Sequence, residues 1–194
     1  MNIDLKKSVD FYLGGILLFF LKPWVVLLGS ILKRNHNPTP KERIVFLKLL
    51  GGGSLVIGLP MILSLKRKYP GVKIELVCTN ATKIFAEPLH VFDHLHIVND
   101  KSFLNLVGSS VLVLFRVFRC DTFVDLEVHS RLSTVFSILT CARNRIGFYL
   151  DSVFFRKRAH THLIFFNRSS GAHYFYDEIS RVLGGDRVTE AQLR

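Results

Sequence analysis

This sequence predicts a parallel, doubly wound α/β sheet preceded by a hydrophobic helical segment. Three observations carry the prediction. Short apolar runs rich in Val, Ile and Phe recur along the chain, and longer segments of helical periodicity separate them. The first run then ends in three consecutive glycines that open a helix. Strands that alternate with helices pair in parallel, because each crossover helix returns the chain to run in the same direction. No internal repeat or low-complexity tract breaks the pattern.

The N-terminal segment, residues 1–35, comes first. Residues 10–32 read DFYLGGILLFFLKPWVVLLGSIL, with no basic-then-small-residue cleavage pattern, so a removed signal peptide is not expected. The run is nearly long enough to span a bilayer, but Lys22-Pro23 falls in its middle. Proline removes a helix hydrogen bond, and lysine is costly at the bilayer centre. Two short helices, residues 11–21 and 24–32, dipping into one leaflet satisfy both constraints. Lys22, Trp24 and Lys33-Arg34 then lie at the headgroups. The alternative is a helical hairpin packed on the protein's own core. The stretch Asn35–Lys41, NHNPTPK, is polar and carries two prolines, and residues 36–42 read as a linker.

The α/β domain is expected over residues 43–185. RIVFLKLLGGGSLVIGLP (43–60) holds a first strand over residues 44–47, a glycine turn, and a helix capped by Ser54 and running to Leu65. Tyr69-Pro70-Gly71 is a turn, VKIELVC (72–78) a second strand, and residues 81–86 a short helix. HLHIV (94–98) is a third strand. Residues 101–119 form a long apolar-basic helix; their 111–118 run also suits a strand, but the length favours a helix. TFVDLE (122–127) is a fourth strand, residues 130–141 a helix, RIGFY (145–149) a fifth strand, and residues 172–183 the last helix.

A chain of 194 residues can bury one sizeable core and carry a short extra segment. Hydrophobic content of 49% and a mean hydropathy of +0.31 are high for a freely soluble domain. A net charge of +11 calls for an anionic partner: a membrane surface, a phosphorylated glycolipid or nucleic acid. Nucleic acid fits worst, because part of the charge flanks the apolar segment and no aromatic-basic readout motif is present. Cys78, Cys120 and Cys141 are odd in number, widely spaced and in apolar settings, which predicts buried free thiols in a reducing compartment.

Ligands of such sheets sit outside the carboxyl ends of the strands. That rule selects residues 51–54, 125–131 and 147–151. The Gly51-Gly52-Gly53 turn can present backbone N–H groups to an anion, or serve only as a tight βα connection. It matches neither GxxxxGK[ST] nor GxGxxG. In DLEVHSR (125–131), Glu127 can accept a proton or bind a sugar hydroxyl, and Arg131 can hold a phosphate or carboxylate beside His129. Alternatively Ser130 caps a helix and Glu127 merely pairs with Arg131. His94 with His96, and His160 with His162, share strand faces but lack a third ligand, so no metal site is expected.

RIVFLKLLGGGSLVIGLP, LKRKYPGVKIELVC and DTFVDLEVHSRLSTVFSILTCARNRIGFY together resemble the N-terminal half of glycosyltransferase family 9, the ADP-heptose:lipopolysaccharide heptosyltransferases. The likeness runs from about Arg43 to Gly185 and includes His173 before the closing helix. It implies a Rossmann-like acceptor-side half of a GT-B fold, metal-free inverting transfer, and a nucleotide-sugar donor held by a second half. Two departures stand out. The family's turn after strand one carries a Gly-Asp pair whose Asp is the proposed general base, and here that pair is Gly53-Ser54. A serine hydroxyl has no useful basicity near neutral pH without a neighbouring base. Glu127, or else Asp125, is the carboxylate expected to take over. The second departure is that residues 186–194 fall where an interdomain linker would begin, so a separate donor-domain chain is expected.

The resemblance thus implies an acceptor-binding half-enzyme for lipopolysaccharide or another cell-surface glycan. It would lie on the cytoplasmic face of a bacterial inner membrane, with an anionic glycolipid or lipid-linked acceptor and no cofactor. A non-catalytic membrane-docking subunit, or truncated pseudo-enzyme, is the alternative that the lost Asp favours.

Overall fold

β1 (Arg43–Lys48) lies at the centre of the molecule, and five of its six residues are buried. The computed structural model describes residues 3–186. In chain order they form α1 (Ile3–Leu32), β1, α2 (Gly53–Ile57), α3 (Leu59–Lys68), β2 (Lys73–Thr79), α4 (Asn80–Ala86), β3 (His94–Val98), α5 (Phe103–Val117), β4 (Thr122–Asp125), α6 (Arg131–Leu139), β5 (Asn144–Tyr149), β6 (His162–Phe165) and α7 (Ala172–Val182). The strands make one parallel sheet in the order β3-β2-β1-β4-β5-β6. This is the Rossmann-like, doubly wound arrangement expected from the strand–helix alternation.

Alternation along β1 explains the layering. Ile44 and Phe46 face a core completed by Leu55, Met61, Ile62 and Leu65 of α2 and α3, and by Phe175, Tyr176 and Ile179 of α7. Val45 and Leu47 face the other side, where Val113 and Val117 of α5 and Phe136 of α6 close a second core. Phe46 stands between Leu76 of β2 and Val124 of β4, so the register places apolar side chains in rows across the sheet.

Three differences from the sequence reading have physical causes. Residues 11–32 do not form two helices: α1 is continuous, with Pro23 inside it. Interior proline costs about 3 kcal/mol, but Leu18 is buried against Val135, Ile138 and Ala159, and Leu21 and Val25 pack there on either side of Pro23. Burial on both sides of the proline holds one axis. The single helix expected from Ser54 to Leu65 is instead two, because Pro60 at the start of α3 cannot donate back along the helix. β6 is an additional edge strand. His162 belongs to it, whereas His160 precedes it. The part of the linker expected at 187–194 lies outside the described residues.

Cys78 and Cys120 are buried, and burial pushes their thiols up to about 11 and about 12. Cys141 is exposed, against expectation: it closes α6 in the left-handed conformation (φ 52°), outside the apolar layer.

α1 docks on α6 through polar contacts as well. Asp10 accepts hydrogen bonds from the Ser130 hydroxyl (2.5 Å) and from the backbone N–H groups of Arg131 and Leu132 (both 3.0 Å). A carboxylate at a helix N-terminus satisfies orphan donors and complements the helix dipole. Gly14 lets the two helices approach, since a Cβ there would stand 2.6 Å from Arg131 Cβ. Asp10→Ala is therefore expected to cost about 1–2 kcal/mol. Urea unfolding in mild detergent measures this, with Asp4→Ala at the exposed start of α1 as the unchanged control.

Candidate functional site

The carboxyl ends of β1, β2 and β4 meet at the glycine turn. β1 ends at Lys48, and the chain then passes through Leu49, Leu50 and Gly51-Gly52-Gly53 into α2. Gly51 adopts φ +72°, which favours glycine, and a Cβ on Gly52 would lie 2.2 Å from the Phe85 ring. Gly53 meets nothing, so its flank of the turn is open.

Glu127 organises this turn. Its Oε1 accepts from the backbone N–H groups of Leu49 (2.8 Å) and Leu50 (2.9 Å) and lies 3.6 Å from Lys48 Nζ. Both charged side chains are about nine-tenths covered. Oε2 has no hydrogen-bond partner among the described residues. From β2, the Thr79 hydroxyl donates to Leu49 O (2.8 Å), and Thr82 adds a second donation (3.0 Å). Three chain segments thus clamp one turn.

Ser54 is not the helix cap predicted for it. Gly52 occupies that position, while Ser54 lies within α2 and donates its hydroxyl to Gly51 O at 2.7 Å. Tyr176 of α7 closes the site from above α2 and touches Gly58. Burial raises its phenol above the usual range; the Ser54 hydroxyl offsets this in part and the Glu127 charge adds to it. Glu127, Ser54 and the glycines therefore gather in one place.

Asp125 lies beneath, completely buried. It accepts from the Ser133 hydroxyl (2.7 Å), from Arg156 Nη2 (2.9 Å) and from the backbone N–H of Glu127 (3.0 Å). Burial alone would raise its pKa, but the Arg156 charge, His160 and Ser133 together hold the carboxyl below the usual range. Asp125 does not reach solvent. It acts on the site by fixing the Glu127 backbone.

Arg131 is directed elsewhere. Its guanidinium donates to Phe11 O of α1 (2.9 Å) and stacks 3.9 Å above the Phe11 ring. It does not pair with Glu127, whose neighbours are Lys48 and the turn amides. His129 is exposed; partial burial and the charges of Arg168 and Arg156 hold its imidazole below the usual value. Among the described residues no three His, Cys, Asp or Glu side chains gather as a metal site. His96 instead pairs with buried Glu75 at 2.9 Å.

Lys48, Tyr176 and Arg156 escaped the sequence reading, and His160 entered it only as half of a histidine pair dismissed as a metal site. Lys48 had a signal: it is the charged residue that ends an apolar strand. Nothing local pointed Arg156 or His160 at Asp125, which they reach only through the fold.

No family model matches this sequence, and no curated protein matches it. Solved structures share its fold. The glycosyl transferase family 9 protein from Veillonella parvula is 19% identical, with a TM-score of 0.64, over 79% of this chain and 43% of that one. The E. coli heptosyltransferase WaaC, solved with ADP, is 13% identical with a TM-score of 0.61, over 75% of this chain and 49% of that one. E. coli ADP-heptose LPS heptosyltransferase II is 11% identical with a TM-score of 0.57, over 72% and 40%. The chain thus spans less than half the length of each of these three proteins.

His160 is fully buried without a hydrogen-bond partner on either ring nitrogen, 3.7 Å from Asp125. Burial, with the Arg156 charge, lowers its pKa more than Asp125 raises it. The unfolded chain therefore binds this proton more readily, and stability falls as pH drops below about 6.5 towards the folded value. His129 and His162 shift in the same direction. The melting temperature is expected to rise between pH 5 and 7 and then level. In His160→Gln that slope becomes shallower, as thermal melts across the range will show.

Proposed function

We propose that this chain is the acceptor-side unit of a GT-B glycosyltransferase of the heptosyltransferase-like family 9, working on an anionic or lipid-linked glycan acceptor at a membrane surface. The observation that carries the reading is the position of Glu127: a carboxylate at the carboxyl edge of the sheet, clamped to the turn after β1, in a fold shared with family 9 enzymes. The acceptor hydroxyl would lie over the open side of Gly53, near Glu127 Oε2. That oxygen takes the hydroxyl proton as the acceptor oxygen bonds to the anomeric carbon and the nucleoside diphosphate leaves from the opposite face. The donor is bound by a second Rossmann-like unit outside these 194 residues. Lys48 steadies the carboxylate, Arg168 near His129 lends positive charge for an anionic acceptor, and His129 offers it a hydrogen-bonding imidazole.

α1 supports the membrane part of the reading. Its residues 4–32 are long and apolar enough to cross a bilayer, with a mean hydropathy of 2.1 and 6% of the most apolar stretch buried. Because one side of α1 is docked along α6, it would lie at the cytoplasmic leaflet instead of crossing it.

A second reading is a non-catalytic docking subunit. One observation favours it: Glu127 Oε1 is fully committed to two amides, and the Ser54 hydroxyl is committed to Gly51 O. Transfer from an ADP-sugar to a lipid-linked acceptor, measured with the donor-binding unit present, separates the two. Under the glycosyltransferase reading, Glu127→Gln lowers kcat about 10²–10⁴-fold with acceptor KM nearly unchanged. Unaltered kcat in that variant refutes Glu127 as the base, and membrane binding with no wild-type transfer establishes the docking reading.

A further inference from the structure

α5 is apolar on both sides, a pattern that is stable in a helix only when both sides are covered. Its inner side, Leu106, Val113 and Val117, packs on the sheet. Its outer side is Leu104, Val107, Val111, Leu112 and Phe115, and it is bare: Leu104 is 80% exposed, Leu112 64% and Phe115 75%. No charged residue stands between Phe103 and Phe115. The Ser109 hydroxyl is satisfied internally, donating to Asn105 O and accepting from the Asn99 N–H. Little on this outer surface needs water.

The surface continues onto α1. Val9, Tyr12 and Leu13 form a shallow groove with Phe103, and Lys6 pairs with Asp100 beside it. Beyond the groove, α1 exposes Phe11, Tyr12, Ile16, Phe19, Phe20 and Trp24. Exposed Lys7, Arg116, Arg119, Lys33 and Arg34 flank these helices. A joined apolar area with a basic rim has the character of a membrane-contact surface.

We propose that the outer face of α5 is a second bilayer-contacting surface, seated with α1 in one leaflet rich in anionic lipid. The proposal rests on the membrane reading of α1 and extends it to an element within the α/β domain. At 15 residues, α5 is about 22 Å long, too short to cross a hydrocarbon core of about 30 Å. It is also fastened to the sheet, so it contacts the bilayer from one side. A lipid surface suits the rim better than a second copy, because self-association would bring together two chains that each carry +11. The consequence for function is orientation. Two fixed helices, unlike a single tether, set the sheet at one angle to the bilayer and hold the glycine turn at a constant height for a lipid-borne acceptor.

The full chain carries one tryptophan, Trp24, which reports on α1. Flotation with phosphatidylcholine vesicles containing phosphatidylglycerol, and quenching by brominated lipid, test both helices. L104Q/L112Q/F115Q should weaken vesicle partition roughly 10-fold or more. The control I84Q/F154Q/F165Q, exposed apolar positions outside α1 and α5, should change it less than about twofold. The indole of F115W, in a chain also carrying W24F, should be quenched as Trp24 is in the wild type. Quenching of Trp24 with no quenching in F115W/W24F and undiminished partition of the α5 variant overturns the α5 surface alone. Absence of both flotation and Trp24 quenching in the wild type overturns the membrane reading itself. A dimer in sedimentation that the α5 triple variant dissociates, with vesicle binding intact, assigns the face to a second copy and also overturns the proposal.

Discussion

A parallel sheet must be covered on both faces, and most of this molecule follows from that requirement. β1 is buried from Ile44 to Lys48, so its side chains need apolar partners above and below. α2, α3 and α7 supply one layer and α5 and α6 the other. The second layer is unusual because its helices are apolar on their backs too. α6 resolves this by taking α1 as a third layer, with Leu18 and Leu21 against Val135 and Ile138. α5 receives no such cover from the described residues.

The same constraint builds the site. Covered strands release their chain only at their ends, and the carboxyl end of β1 must turn within a few residues into α2. The turn leaves the Leu49 and Leu50 amides without strand or helix partners, and Glu127 supplies a single oxygen to both. Asp125 fixes the Glu127 backbone and is itself neutralised by Arg156. A carboxylate that holds a turn is a natural outcome where unpaired backbone amides gather at a strand end. Its position is set by backbone donors, which no side-chain substitution elsewhere can remove.

α1 links the two themes. Asp10 caps α6 just downstream of Glu127, and Arg131, the residue after that cap, turns its guanidinium onto Phe11. The N-terminus of α6, which could otherwise hold an anionic ligand, is filled by the protein's own carboxylate. The apolar N-terminal helix and the loop that bears Glu127 are thereby joined by direct contacts.

The fold class was legible in the sequence because strands 44–47, 72–78, 94–98, 122–127 and 145–149 each carry a local apolar signal. A doubly wound sheet follows from their alternation with helices. The placement of Glu127 and the three glycines at one edge was legible for the same reason: the carboxyl-end rule converts strand positions into a candidate site. Everything that depended on contact between distant segments was not. Pro23 argues locally for a break, and only packing against α6 on both sides of it decides for a continuous α1. Arg131 looks like an anion ligand until Phe11, 120 positions away, occupies it. Arg156 has no periodic context, His160 reads in sequence only with His162 on a strand that it in fact precedes, and both acquire their roles from a buried Asp125. Local propensity and hydrophobic pattern thus determined the first five strands and their alternation with helices, though not β6, the continuity of α1 or the division of α2 from α3. Tertiary structure decided which charges meet, because electrostatic partners are chosen by proximity in space, which sequence separation does not encode.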